Sequence, residues 1–137
     1  MTSFVLDARL EADTVAVADL PLSTVRLMDD ATYPWLVLVP RVSGLVELTD
    51  LTPPQRAVLI EEIAAAERAL SAATRCDKLN VGALGNQVAQ LHVHVIARFT
   101  TDAAWPNPVW GAVPRKAWDE HRRSAFVADI AARLGAG

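Results

Sequence analysis

The chain has 137 residues, 52% of them hydrophobic, and a formal charge of −3 from 13 basic and 16 acidic side chains. That length and apolar content suit one compact domain with a sizeable buried core, so we expect a single domain over residues 1–137. The acidic balance and the lack of a basic run argue against long nucleic acid as a partner.

The single cysteine and the N-terminal composition bear on location. Cys76 alone can form neither an internal disulfide nor a thiolate metal site, which fits a reducing compartment. The N-terminus has no apolar run of signal-peptide length, and no stretch approaches the length of a membrane span. We therefore expect a cytoplasmic protein with no membrane partner.

The N-terminal half predicts three short strands. Residues 13–20 and 23–30 are β-branched and partly alternating, and Pro21 and Leu22 between them indicate a hairpin. Residues 35–41, WLVLVPR, form a continuous apolar run that is typical of a central strand buried on both faces.

Two helices follow from their end signals. Thr52 suits a helix cap, Pro53 the first helical position and Gln55 the partner position of a capping box, which predicts a long helix over about 53–75. A second helical pattern runs from about 116 to 134 and ends in glycines.

Two more strands are expected between these helices. The first is predicted over residues 78–84 and the second over about 88–98. Gly85 and Asn86 between them indicate a turn. Short strands around one long helix indicate an α+β fold with a mostly antiparallel sheet and a C-terminal helix.

Two of the three histidines lie two residues apart in QLHVHVIARF, residues 90–99. Because side chains alternate along a strand, Gln90, His92 and His94 are predicted to form a polar stripe on one face, with the intervening apolar residues on the other. Such a stripe is expected to face a cleft.

Three interpretations of this stripe compete. The histidines can simply decorate an open strand face, because histidine is intermediate in burial. They can share a metal ion, but a zinc site needs a third ligand, Gln90 is a poor one, and neither Cys76 nor His121 has a sequence reason to approach. The third interpretation is phosphoryl or nucleotidyl transfer, with one imidazole attacking phosphorus and its neighbours holding phosphate oxygens. That chemistry requires neither a metal nor a cofactor.

Residues 85–98, GNQVAQLHVHVIAR, resemble the signature of the histidine triad family, and the likeness extends over roughly residues 10–115. The subgroup that it most resembles is that of bacterial diadenosine polyphosphate hydrolases. The resemblance implies that His92 is the nucleophile that becomes nucleotidylated and that His94 contacts the phosphate. It also implies that Asn80 and Asn86 hold phosphate or sugar oxygens.

Two positions depart from the family pattern. Gln90 replaces the first histidine, whose side chain supports the nucleophile's surroundings by hydrogen bonding. Glutamine offers a donor and an acceptor without titrating, so we expect it to orient His92. Asp29 stands where relatives carry an asparagine that meets the ribose, and a carboxylate accepts hydroxyl hydrogen bonds but cannot donate one.

Four further positions complete the expected site. Leu27 is a candidate for the base pocket, and Trp110 for a cover that folds back over the phosphate mouth or the base pocket. Arg98 keeps the parity of the histidine stripe and can meet a phosphate, although a surface ion pair is an equal alternative. Asp30 is expected to brace the turn before Pro34. The other tryptophans, Trp35 and Trp105 among them, are expected to pack.

The resemblance implies a hydrolase that cleaves a nucleoside 5′-phosphate from a leaving group, as in dinucleoside polyphosphates such as Ap4A or in nucleoside phosphoramidates. It also implies a homodimer formed through the long helices and adjoining edge strands. Three alternatives stay open: a nucleotide-binding protein without turnover, a metalloprotein, and a nucleotidylyltransferase that passes the nucleotide to a sugar phosphate.

Overall fold

The computed structural model describes residues 3–136, with side chains through Gly135. They form one five-stranded antiparallel sheet in the order β1-β2-β3-β5-β4. The α+β architecture predicted from the sequence is confirmed. The elements in chain order are α1 Ala8–Asp13, β1 Thr14–Asp19, β2 Ser23–Met28, β3 Trp35–Pro40, α2 Pro53–Thr74, β4 Lys78–Gly82, β5 Val93–Arg98 and α3 Glu120–Ala136.

The two faces of the sheet bury different sets of residues. On one face, α2 and α3 cover the side chains of Leu27, Leu38 and Val95. On the other face, Leu10 of α1 and Val109 of the segment after β5 cover a second cluster, whose sheet members are Trp35, Val37, Val39 and Ile96. His94 pairs with Val37 across the sheet and therefore belongs to this second face.

The long helix starts where the sequence predicts, because its end signals are local. The Thr52 hydroxyl accepts from the Gln55 amide, and the Gln55 side chain accepts from the Thr52 amide, which completes a capping box. Halfway along α2, the buried carboxylate of Glu62 accepts the amides of Leu22 and Ser23 at 2.8 and 2.9 Å. That contact fixes the β1–β2 connection against the helix. No helix of residues 3–136 is long and apolar enough to cross a membrane.

The histidine strand is shorter than predicted. It begins at Val93 rather than near residue 88, because β4 ends at Gly82 and Gly85, with a φ of +72°, turns the chain out of the sheet. The amide of Leu91 then donates to the carbonyl of Leu45 instead of to a strand. Gln90 consequently lies in a loop, and His92 immediately precedes the strand.

Both ends of the chain differ from the sequence prediction. The short helix α1 was not predicted, although the Asp7 carboxylate caps it by accepting from the amides of Arg9 and Leu10. The C-terminal helix starts at Glu120 rather than at 116. Lys116 lies outside the helix, because its carbonyl accepts from the Ala31 amide and its amide donates to the Asp30 carboxylate.

Candidate active site

A cleft of about 420 Å³ opens on the sheet face opposite α2 and α3. Its volume falls in the usual range of small-molecule sites. Its floor is formed by His92 and His94, its walls by α1 and the turn after β4, and its cover by the segment after β5. A smaller hollow of about 220 Å³ also borders His92.

The ring of His92 is fixed by a backbone carbonyl. Its Nδ1 lies 2.6 Å from the Gln90 carbonyl oxygen, which can only accept, so Nδ1 carries the proton. The neutral ring then has an unprotonated Nε2, whose lone pair is available as a base or nucleophile. The side chain is buried, with 7% exposed.

The ring of His94 is held in the opposite tautomer. The indole Nε1–H of Trp35 can only donate, and it lies 2.9 Å from Nδ1 of His94. Nδ1 therefore accepts, and in the neutral ring the proton sits on Nε2. With ring centroids 5.0 Å apart, the two histidines bring one imidazole acceptor and one imidazole donor to the same cleft.

Burial, and to a lesser extent the neighbouring His92, together lower the pKa of His94 from 6.5 to about 4. Removing a cationic ring from water disfavours the charged form, and a second imidazole adds repulsion. The Trp35 contact acts in the same direction, because a protonated Nδ1 cannot accept from an indole N–H. His94 is thus a neutral hydrogen-bond donor at physiological pH.

Trp110, predicted to cover the phosphate mouth or the base pocket, lies over His94. Its ring is 5.2 Å from the His94 ring and 6.2 Å from that of Trp35, edge-on to both. Gly82 makes this approach possible, because a Cβ there would lie 3.1 Å from the Trp110 ring. The indole therefore forms a fixed apolar wall of the cleft.

The side chain of Gln90 does not point toward His92, contrary to the sequence prediction. Its Oε1 accepts from the Asp7 amide at 2.8 Å and its Nε2 donates to the Val5 carbonyl at 2.9 Å. The prediction assumed that Gln90 shares a strand face with the histidines, but this residue lies outside the strand. Gln90 orients His92 only through its backbone carbonyl.

Arg98 does not present its charge to the cleft either. It is 1% exposed and forms a bidentate ion pair with Asp102 at 2.8 and 3.0 Å. It also donates to Asn80 Oδ1 and to the Asn107 carbonyl, each at 2.8 Å. Arg98 therefore forms an ion pair, one of its two predicted alternatives, although the pair is buried and not at the surface, and it does not reach the cleft. Asn80 does not line the cleft, and its Oδ1 is bound by Arg98, so its contact with a phosphate or sugar oxygen stays a prediction.

Leu27 was predicted for the base pocket, but its side chain is fully buried on the helix-covered face. Its neighbour Met28 has the opposite strand parity and lines the cleft. Asp29 lies in an adjoining hollow, where its two carboxylate oxygens bind Arg115 and Arg123. A ribose contact at Asp29 would have to compete with both guanidinium groups.

Two other predicted positions lie where expected. Asn86 lines the cleft in the turn after β4. Asp30 braces the β2–β3 connection, because its Oδ1 accepts from the amides of Thr32 and Lys116.

The metal interpretation lacks its ligands in the part of the chain that the structure describes. Among these residues no three His, Cys, Asp or Glu side chains lie close enough together to hold an ion. His92 and His94 consequently have no third protein ligand there, and a structural zinc site needs more than two.

Sequence reasoning missed the role of Trp35, which it assigned to packing alone. Every residue of β3 is buried, so its apolar run carries no alternation that reveals which side chains face the cleft. The contact between Trp35 and His94 depends on the pairing of β3 with β5. Only the register of that pairing could have identified it.

Comparison with known proteins gives a consistent answer. The family model of the HIT domain matches residues 9–101. A histidine triad protein from Bradyrhizobium japonicum is 49% identical over 97% of this chain and 99% of its own, with a TM-score of 0.95. A histidine triad protein from Sinorhizobium meliloti is 44% identical over 97% of this chain and 96% of its own, with a TM-score of 0.90. One from Marinobacter aquaeolei is 41% identical over 98% of each chain, with a TM-score of 0.95.

A comparison with functionally curated proteins finds no match. The family model alone spans well over half of the chain, and the three similar structures are all histidine triad proteins. The chain therefore belongs to the histidine triad family, whose members are generally nucleotide hydrolases or transferases.

Proposed function

We propose that this protein hydrolyses nucleotides through a covalent intermediate on His92. The substrate is a nucleoside 5′-phosphate whose α-phosphorus carries a leaving group, either the rest of a dinucleoside polyphosphate such as Ap4A or the amine of a phosphoramidate. One observation carries the proposal: the two histidines are held in complementary tautomers, one with a free Nε2 lone pair and the other with an Nε2–H donor.

In the first step the Nε2 lone pair of His92 forms a bond to the α-phosphorus. The bond from phosphorus to the leaving group breaks, and the leaving group departs with its electron pair. His94 donates its Nε2–H to a phosphate oxygen and stabilises the charge that builds up there. This donor is already neutral and oriented, because burial and Trp35 keep the proton off Nδ1.

In the second step water attacks the nucleotidyl-histidine. An oxygen–phosphorus bond forms, the bond from Nε2 to phosphorus breaks, and the ring recovers its electron pair. One proton of the water passes to solvent, and a nucleoside monophosphate leaves. Division of one displacement into two lets the same imidazole serve as nucleophile and then as leaving group.

The proposal includes a homodimer. Strand β4 is at the edge of the sheet and has an unpaired side, and an exposed edge invites pairing with another chain. Exposed apolar side chains support an interface at this strand and at α2, namely Val81 on β4 and Ile60 on α2, which are 47% and 59% exposed. Two copies then join through α2 and β4.

The test is release of AMP from Ap4A and from an adenosine phosphoramidate in the presence of a chelator. We expect turnover in the wild type and a loss of at least about 1,000-fold in His92→Asn, which removes the nucleophile but keeps a polar side chain. His121→Ala, an exposed histidine of α3, is the matched control and should retain full activity.

The intermediate gives a second readout. Rapid quenching of labelled substrate should leave the nucleotide attached to the wild type in a form stable in base and labile in acid, as expected of a nitrogen–phosphorus bond. Binding of AMP without turnover would favour the binding-protein alternative. Loss of turnover on chelation would favour a metal mechanism, and turnover only with a sugar phosphate would favour a transferase.

A further inference from the structure

We propose that Gln90 is a positioning residue whose side-chain amide holds the N-terminal segment against the cleft, so that Arg9 contacts the phosphates of an anionic leaving group. This inference rests on the proposed function and narrows it. It favours substrates that carry phosphates beyond the cleaved bond over substrates whose leaving group is an amine.

The contact of Gln90 with the N-terminal segment matches the chemistry of an amide. Val5 offers its carbonyl and Asp7 its N–H, and Gln90 binds both at once at 2.9 and 2.8 Å. A residue in a parallel β-ladder binds its neighbour strand in the same manner, through the carbonyl of one residue and the N–H two positions later. The side-chain amide thus takes the place of a peptide group.

Histidine, which the family carries at this position, is less suited to this contact. An amide projects its oxygen and its NH₂ side by side, whereas the two ring nitrogens of imidazole point in divergent directions. The departure from the triad therefore has a structural counterpart. The amide that replaces the first histidine binds the N-terminal segment, while the backbone carbonyl of the same residue binds His92.

Fixing Asp7 also fixes the start of α1. The Asp7 carboxylate accepts from the amides of Arg9 and Leu10, and its carbonyl accepts from the Glu11 amide. Leu10 is buried, so the helix has one defined orientation on the sheet. In that orientation Arg9 lines the same cleft as His92 and His94, beside Gln87 at 3.4 Å.

The charge of Arg9 is available to a ligand. Two arginines line the cleft, and the other, Arg115, is ion-paired with Asp29. Arg9 takes part in none of the ion pairs among residues 3–135. It does not pair even with Asp13, which lies four positions later in the chain and also lines the cleft. A guanidinium in this state suits phosphate oxygens, which it can bind in bidentate fashion.

The hold of Gln90 on the segment is tested without substrate, by hydrogen exchange at the Asp7 amide. Gln90→His and Gln90→Ala keep the backbone carbonyl that binds His92 but lose the amide. We expect exchange at Asp7 to become at least about tenfold faster in both. Phe4 and Leu6 still pack on the core, so the segment loosens and does not detach. Gln55→Ala, which loses an amide contact elsewhere, should leave exchange at Asp7 unchanged. Unchanged exchange in the Gln90 variants would overturn the assignment.

The contact of Arg9 is tested by binding, so that the result does not depend on turnover. In Arg9→Ala the Kd of ATP should rise about fivefold or more, while the Kd of AMP, which lacks the outer phosphates, stays within about twofold. Arg68→Ala, an exposed arginine of α2, is the matched control. If the Kd values of ATP and AMP rise equally, or if neither rises, the role of Arg9 is refuted.

Kinetics then join the two parts of the proposal. In Gln90→His the KM for Ap4A should rise several-fold more than the KM for a phosphoramidate, and kcat should change less than KM. The double variant Gln90→His with Arg9→Ala should have the same KM for Ap4A as Arg9→Ala alone, because both changes remove the same contact between Arg9 and the phosphates. Additive losses would contradict the proposal. If the wild type shows no turnover, the proposed function fails, whereas the exchange and binding results still decide this inference.

Discussion

The two histidines of the cleft differ in protonation because their neighbours differ. A carbonyl oxygen accepts from Nδ1 of His92, and an indole N–H donates to Nδ1 of His94. Neither neighbour titrates near neutral pH, so the difference between the rings persists while the fold does. One residue type thus supplies both an imidazole acceptor and an imidazole donor to the cleft.

At this scale Trp35→Phe is the most direct test. Phenylalanine keeps an aromatic ring against His94 but removes the donor that favours the neutral form. We expect the pKa of His94 to rise from its wild-type value of about 4. Titration of the histidine ring protons by NMR measures the shift, with His121 as an internal reference. An unchanged or lower pKa of His94 would show that the indole contact does not hold the tautomer.

His94 also predicts how stability depends on pH. Its folded-state pKa of about 4 lies below the unfolded value of 6.5, so between these values the unfolded chain binds a proton that the folded chain does not. The free energy of unfolding should therefore fall as pH drops from about 7 to about 4, by up to about 3 kcal/mol from this residue. Urea unfolding at both pH values, compared with His94→Gln, measures the contribution. An equal pH dependence in the variant would contradict it.

Among the structural elements, the segment between β5 and α3 depends on one ion pair. Arg98 at the end of β5 binds Asp102, and the Asp102 carboxylate also accepts from the amides of Phe99, Ala104 and Trp105. The Arg98 hydrogen bonds lower the pKa of Asp102 to about 2. This cluster shapes the turn that precedes Trp110, so Arg98 contributes to the cleft through the cover segment and does not line it.

Asp102→Asn leaves the buried Arg98 guanidinium without its counter-ion. We expect a loss of about 3 kcal/mol in the free energy of unfolding, measured by urea denaturation. Asp129→Asn is a matched control, because Asp129 pairs with Arg133 at the same four-residue spacing, but both side chains are about 40% exposed. That change should cost less than about 1 kcal/mol. Similar losses in the two variants would mean that burial of the Arg98 pair adds nothing.

At the scale of the whole molecule, the proposed dimer predicts which surface changes matter. Val81→Arg places a charge on the exposed edge strand, and Ile60→Glu places one on α2. Sedimentation equilibrium should show a dimer for the wild type and weaker association for both variants. Val5→Arg changes an equally apolar, 76% exposed side chain that belongs to neither element and should not affect association. A monomeric wild type would refute the dimer.

The sequence by itself determined the features whose interactions are local. The capping box of α2 joins residues three positions apart, and its bonds form wherever that helix begins. The succession of strands and helices, the closeness of His92 to His94 and the family signature likewise lie within short stretches. These features identified the fold, the family and the residue expected to be the nucleophile before any tertiary contact was known.

Only the tertiary structure decided what each side chain of the site meets. Trp35 and His94 lie 59 positions apart, and Asp7 and Gln90 lie 83 apart. The start of β5 and the parity of Leu27 and Met28 decide which residues face the cleft, and a shift of one residue exchanges the two faces of a strand. The roles of Gln90 and Leu27 were mispredicted for this reason, because partners so distant in the chain leave no periodic signal in it.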